Sequence, residues 1–235
     1  MQAGGWRFES AHLHSIILKI KQQMITEKEL HTLLKPYQRN KLILNPKKSA
    51  LMIIDMQNDF LDKKTPAFTE NARYIIPYLQ KLCKTARKEK IPVIYTAHCH
   101  QDPKIDGGMT AQWWPEIRNK ETLVAGTKGA GIIKELKPLP KEKIIYKHRY
   151  SAFYNTDLEI YLRGLDVTDL IITGIMTGIC CESTARDAFF RDFRVFIIGD
   201  ATAAGEDDLH LNSLKILAYA FAYVTTTKEI IKMMA

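Results

Sequence analysis

The chain has 235 residues, 46% hydrophobic and 26% charged, the balance of an ordinary globular protein with enough length for one sizeable core. It contains no apolar run of the ~18 residues that would mark a membrane span, and no h-region of a secretory signal opens it. Cys83, Cys99, Cys180 and Cys181 form neither a CxxC pair nor a secreted framework, so free thiols in a reducing cytoplasm are expected.

The net charge of +8 is concentrated at one end: residues 1–48 hold nine Lys or Arg against three acids. This arm lacks the interleaved aromatics of a base-stacking platform, so it reads as solvated basic surface rather than a nucleic-acid interface. Residues 1–14 are expected to dock loosely. His14 to Met24 places Ile16, Ile17, Ile20 and Met24 at helical spacing. Thr26-Glu27-Lys28-Glu29 is a capping-box pattern that starts a second short helix over Leu30, Leu33 and Leu34, which Pro36 ends. A helical extension over 1–48 and a main domain over 49–235 are therefore expected.

From residue 49 strands and helices alternate. Ala50–Ile54 is an apolar strand ending on Asp55. Thr69–Lys90 reads as a helix whose regular part starts near Pro77. Pro92–Ala97 is a strand ending on His98. A loop region follows from Gln101 to Gly131, carrying Trp113 and Trp114, and Lys143–Tyr146 is a strand ending on Lys147. Asp157–Gly164 is a short helix, Leu170–Ile172 a buried strand, Arg194–Gly199 a strand, Leu209–Ala222 a helix and Tyr223–Thr226 a last strand. This alternation argues for an α/β fold: an open, mostly parallel sheet of about six strands with helices on both faces. In such sheets ligands bind beyond the carboxyl ends of the strands, where Asp55, His98, Lys147 and the turn before Cys180 should gather.

In Ile171-Ile172-Thr173-Gly174-Ile175-Met176-Thr177-Gly178-Ile179-Cys180-Cys181-Glu182-Ser183-Thr184, a strand and a tight turn lead into a helix. Cys180 is expected in the first helical turn, where unpaired N–H groups and the helix dipole favour thiolate. Asp55, set among Ile54, Met56 and Phe60, is a candidate base, and Lys147 a cation suited to both partners. Two rival readings are a redox-responsive thiol and a binding protein that works through its basic arm.

Ala50 to Phe60, Lys147-His148-Arg149-Tyr150-Ser151-Ala152-Phe153 and Thr173 to Thr184 closely resemble the isochorismatase-like cysteine hydrolases, in the right order from about Ala50 to Thr227; Gly126 to Ile132 is similar to a further loop of that family. The resemblance implies an Asp-Lys-Cys triad of Asp55, Lys147 and Cys180. It also implies a cis peptide at Ile175–Met176 and an oxyanion hole from the N–H groups of Met176 and Cys180. A small amide, ureido or carbamoyl compound would be cleaved through a thioester, by a homodimer or homotetramer. Isochorismatase-type cleavage of a vinyl ether is the alternative, favoured by the Arg-Tyr-Ser-Ala-Phe run. The Lys-x-Arg-Tyr-Ser and Cys-x-Glu-Ser-Thr patterns look more like the ureido- and carbamoyl-cleaving branch. Nicotinamidases of the family carry a metal on one Asp and three His. Here His98 and His100 match half of that set and Asp106 stands where a further His is expected, so neither a metal nor another cofactor is expected. Phe60, His100, Trp113 and Tyr150 are candidates for the substrate pocket wall, with Trp113 and Trp114 equally suited to an oligomer contact.

Overall fold

The computed structural model describes residues 27–235; the expected helix over His14–Met24 and the loosely docked residues 1–14 lie outside the described residues. In chain order the elements are helix α1 (Glu27–Leu34), β1 (Ser49–Ile54), α2 (Asn58–Leu61), a 3-10 turn (Glu70–Arg73), α3 (Ile76–Lys88), β2 (Val93–His98), α4 (Gly108–Trp113) and α5 (Pro115–Arg118). They continue with β3 (Lys143–Lys147), α6 (Leu158–Gly164), β4 (Asp169–Ile175), α7 (Glu182–Phe189), β5 (Arg194–Ala203), α8 (Asp207–Ala220), β6 (Tyr223–Thr225) and α9 (Thr227–Met234). The six strands form one sheet in the order β3-β2-β1-β4-β5-β6, and every neighbouring pair is parallel.

Period-two alternation divides the strand side chains between two cores. Leu51 and Ile53 of β1 face a cluster with Leu79, Leu82 and Ala86 of α3 and Ile230 of α9. Ala50, Met52 and Ile54 face the other side, against Leu158 and Leu162 of α6, Ala185 and Ala188 of α7, and Leu214 and Leu217 of α8. Both faces are thus covered, which is why β1 and β4 are mostly apolar and have no exposed positions. Leu30 and Leu34 of α1 belong to the second core, so the described part of the basic segment packs onto the sheet domain.

The helix expected over Thr69–Lys90 becomes regular at Ile76, beside Pro77 as expected, because a proline in the first helical turn gives up only an N–H that has no partner there. Two differences from the sequence reading have local causes. The stretch read as loop contains α4 and α5, too short for periodicity to register. A terminal helix, α9, was not expected. Its signal is the capping pair Thr226 and Glu229, in which Thr226 Oγ1 accepts from the Glu229 N–H at 3.3 Å.

The strand order reverses direction between β1 and β4, the switch point where an open α/β sheet leaves a crevice at its carboxyl edge. Gly174 in β4 lets the two strands meet there. Its φ is +100°, and a Cβ would stand 2.2 Å from the Ile54 carbonyl oxygen, so no side chain fits at this position.

Candidate active site

Asp55, the residue after β1, has φ +49° and is fully buried. Its neighbour across the sheet is Thr96 of β2. The Asp55 N–H donates to Thr96 Oγ1 at 3.1 Å, and that hydroxyl donates to Asp55 Oδ1 at 2.5 Å. Asp55 Oδ2 receives no hydroxyl or amide hydrogen bond among the described residues and instead faces the Lys147 ammonium at 2.7 Å. Lys147, the last residue of β3, is also fully buried and spends its other donors on the Arg149 carbonyl at 3.1 Å and on Cys180 Sγ at 3.4 Å. A buried ammonium with all three hydrogens committed is a fixed bridge between a carboxylate and a thiol.

Cys180 lies in a π turn, Thr177–Cys181, between β4 and α7. The expectation of a first α-helical turn is corrected on this point. The Met176 carbonyl accepts from the N–H groups of Ile179 and Cys181, both at 3.1 Å, which widens the turn. The Ile175–Met176 peptide is cis. Cys181 Sγ points back to the Thr173 carbonyl at 3.9 Å and packs in the core.

The protonation state also differs from the sequence reading. Burial pushes the Cys180 thiol up to about 12, opposed by the Lys147 charge and reinforced by Asp55. Desolvation outweighs the favourable turn and cation, so the resting sulfur is a thiol at neutral pH. Burial opposes the charge of Lys147 as well, but Asp55 and Cys180 more than offset it, and the ammonium is held above its ordinary range. The resting site therefore sets an ammonium and a thiol beside Asp55.

Cys180 opens onto a cavity of about 200 Å³. Its walls come from the strand ends (His98, Tyr150, Met176, Ile179), from Phe60 and Phe68, and from Trp114, Ile117 and Leu123. Of the four expected wall residues, Phe60 and Tyr150 line it. Trp113 points away and is 74% exposed; its neighbour Trp114 lines the cavity instead and donates from Nε1 to the Tyr150 hydroxyl at 3.0 Å. His100 is fully buried, outside the lining. A wider groove of about 930 Å³ over Asn58, Arg73 and Lys137 contains none of the cluster residues.

A profile described as the Isochorismatase domain matches residues 49–229. The chain belongs to the isochorismatase-like hydrolase family. It is 36% identical over 190 residues to nicotinamidase 3 of Arabidopsis thaliana, covering 80% of this chain and 89% of that protein. It is 30% identical over 206 residues to a ureidoacrylate amidohydrolase of Caulobacter segnis, covering 79% and 85%. Among solved structures, a cysteine hydrolase from Pseudomonas syringae pv. phaseolicola matches with a TM-score of 0.79 at 30% identity, covering 83% of this chain and 98% of that one.

For an isochorismatase-like hydrolase with a nicotinamidase relative, a metal at His98, His100 and Asp106 has to be tested against the side chains present. His98 Nε2 and His100 Nε2 hydrogen-bond each other at 3.2 Å, and His100 Nδ1 pairs with Asp106 Oδ1 at 2.9 Å. Asp106 Oδ2 accepts from the Gln101 N–H at 2.7 Å. His148 Nδ1 is engaged by the Cys99 carbonyl at 2.6 Å. His100, Asp106 and His148 offer ligand atoms within 4.8 Å of one another, but each already has a protein partner, so an ion here would have to displace these hydrogen bonds. Asp55, His98 and Cys180 also approach within 4.8 Å, but the Lys147 ammonium already supplies the positive charge between the carboxylate and the thiol.

Two supporting residues escaped the sequence reading. Thr96 lies two positions before His98, a spacing that puts both on one side of β2. Gln57 clamps the end of β2: its Oε1 accepts from the His98 N–H at 2.9 Å, and its Nε2 donates to the carbonyls of His98 and Ala130 at 2.9 and 2.8 Å. No helix among the described residues is long and apolar enough to cross a membrane.

Proposed function

We infer that the protein is a cysteine-dependent hydrolase of a small amide, ureido or carbamoyl compound. The observation that carries this reading is the Lys147 ammonium bridging Asp55 at 2.7 Å and Cys180 at 3.4 Å beside a largely apolar cavity. A substrate carbonyl enters over Cys180. Asp55 takes the thiol proton as the sulfur bonds to the carbonyl carbon, so a free thiolate never has to persist in the buried site. Negative charge moves onto the carbonyl oxygen, where the N–H groups of Met176 and Cys180 receive it. The tetrahedral species collapses, the C–N bond breaks, and the amine departs with the proton from Asp55, leaving a thioester. Asp55 then deprotonates water, which attacks the thioester and releases the acid and the thiol. Lys147 stays protonated throughout and holds both partners in register.

The redox-sensor reading is weakened by the site itself. Sensor thiols are exposed and acidic, whereas Cys180 is 3% exposed and pushed up to about 12. The vinyl-ether alternative gives the Cys180 thiol nothing to do.

Ammonia release from a panel of small amides and ureido compounds, with wild type and Cys180→Ala side by side, tests the proposal. One compound hydrolysed by the wild type and untouched by the variant supports it. Equal turnover by both proteins would exclude a covalent cysteine mechanism.

A further inference from the structure

The proposed chemistry asks the turn Thr177–Cys181 to hold three groups in place at once: the Cys180 sulfur and the N–H groups of Met176 and Cys180. A π turn is wider than an α turn, and here the Met176 carbonyl is shared between two N–H groups. Its rigidity has to come from what it leans on, which is α8. A Cβ on Gly178 would lie 3.6 Å from Ser213 Cβ and 3.7 Å from the Leu209 carbonyl oxygen, so the turn and the helix are in van der Waals contact.

Glu182, two residues past Cys180 and the first residue of α7, fastens that contact. Its N–H donates to the carbonyls of Thr177 and Ile179 and closes the turn. Its carboxylate, 14% exposed, reaches the other way. Oε2 accepts from Ser213 Oγ at 2.5 Å, and Oε1 accepts from Arg186 Nε and Nη2 at 2.9 and 2.7 Å. Arg186 is set in turn by Phe221, whose ring centre lies 4.3 Å from the guanidinium carbon. Ser213 is buried, and its Oγ also stands 3.3 Å from the Thr177 carbonyl oxygen. That one carbonyl thus meets the backbone of Glu182 directly and its side chain through Ser213. His210, one turn before Ser213 on α8, pairs with the Thr177 hydroxyl on the same side.

Glu182 does not line the cavity, so it touches no substrate. Nor is it among the groups that move the Cys180 thiol, which are burial, Lys147 and Asp55. We propose that Glu182 and Ser213 are positioning residues for the reaction: their hydrogen bond, backed by Arg186, locks the nucleophile turn against α8 and holds Cys180 and the two N–H groups in register. This rests on the cysteine-hydrolase reading and extends it to groups outside the cavity. Small displacements of a nucleophile are costly, because attack needs the reacting atoms aligned as well as close.

Benzaldehyde is the probe, an apolar aldehyde for a largely apolar cavity of about 200 Å³. Attack by the Cys180 thiol forms a C–S bond, converts the C=O bond to C–O and passes the thiol proton to that oxygen, giving a thiohemiacetal whose conjugated carbonyl absorbance is lost. The adduct is titrated with wild type, Cys180→Ala, Glu182→Ala, Ser213→Ala, the Glu182→Ala/Ser213→Ala double variant and Glu182→Gln, each checked by thermal melting. Wild type is expected to form the adduct and Cys180→Ala to form none. Glu182→Ala and Ser213→Ala should each weaken it about tenfold, with the double variant little weaker than Glu182→Ala alone. Glu182→Gln, which keeps an oxygen for Arg186 and an N–H for Ser213, should stay within about threefold of wild type, as a role in geometry rather than charge requires. Should Glu182→Ala melt below the assay temperature, Ser213→Ala, which leaves the Glu182–Arg186 pair in place, decides the matter with Glu182→Gln. Unchanged adduct affinity in the alanine variants, additive losses in the double variant, or a loss in Glu182→Gln equal to that in Ser213→Ala would overturn the inference and leave the cysteine reading standing. Absence of a Cys180 adduct in wild type would overturn the cysteine reading, and the inference with it.

Discussion

Thr96 and Asp55 exchange hydrogen bonds across adjacent strands: the Asp55 N–H reaches Thr96 Oγ1 at 3.1 Å, and that hydroxyl returns its proton to Asp55 Oδ1 at 2.5 Å. One hydroxyl thereby fixes both the backbone and the carboxylate of the proposed base and leaves Oδ2 for Lys147. Thr96→Val keeps the shape and removes the exchange. Turnover is expected to fall by about tenfold to a hundredfold with KM little changed, and unfolding free energy by about 1–3 kcal/mol. Thr96→Ser should retain most of both. Steady-state kinetics and urea denaturation of the three proteins check this.

Lys147 is a buried charge whose loss strands another. Lys147→Met leaves Asp55 uncompensated, and a stability loss of about 3–5 kcal/mol is expected together with loss of turnover. Pairing it with Asp55→Leu removes the stranded carboxylate and should restore much of the stability without any activity. Denaturant midpoints for the single and double variants measure the recovery.

Because burial pushes the Cys180 thiol up to about 12, its alkylation by iodoacetamide in the substrate-free protein should keep rising, roughly tenfold per pH unit between pH 7 and 10, where an ordinary thiol levels off near 9. Mass spectrometry of the Cys180 peptide distinguishes it from the other thiols. The stability effect has the same origin. A folded-state value above the unfolded one favours the protonated, folded form, so this contribution is complete below about pH 9 and is lost as pH rises towards 12.

His210 of α8 braces the nucleophile turn, its Nδ1 lying 2.8 Å from Thr177 Oγ1. Burial lowers it to about 4, so the fold holds it neutral. Its contribution is present above pH 6.5 and is lost as pH falls towards 4, when the unfolded chain takes up the proton first. His98 and His100 shift in the same direction, so the measurement is a difference between proteins. Over pH 6.5 to 4 the Tm of wild type should fall several degrees further than that of His210→Gln.

Gly174→Ala is expected to unfold the switch point rather than merely slow catalysis. The φ of +100° and the 2.2 Å approach of a new Cβ to the Ile54 carbonyl predict a loss of about 3 kcal/mol or more. The same substitution at Gly164, with nothing within 4 Å, serves as the tolerated control in thermal melts.

The sequence by itself determined the parallel sheet, its strand ends and the gathering of Asp55, Lys147 and Cys180 at one rim. Apolar runs, period-two alternation and glycine punctuation are properties of each segment's own backbone, and a strand's last residue is fixed by where its run stops. The tertiary structure alone decided which groups meet and what protonation they hold. Trp113 and Trp114 are indistinguishable as neighbours in a row, yet the end of α4 turns one to solvent and the other onto Tyr150. The sequence-level case for a thiolate rested on a local turn, but the desolvation that reverses it is summed over β1, β3 and β4 closing around the sulfur. Thr96 carries no motif, because a hydroxyl acquires its role from the partner it finds across the fold.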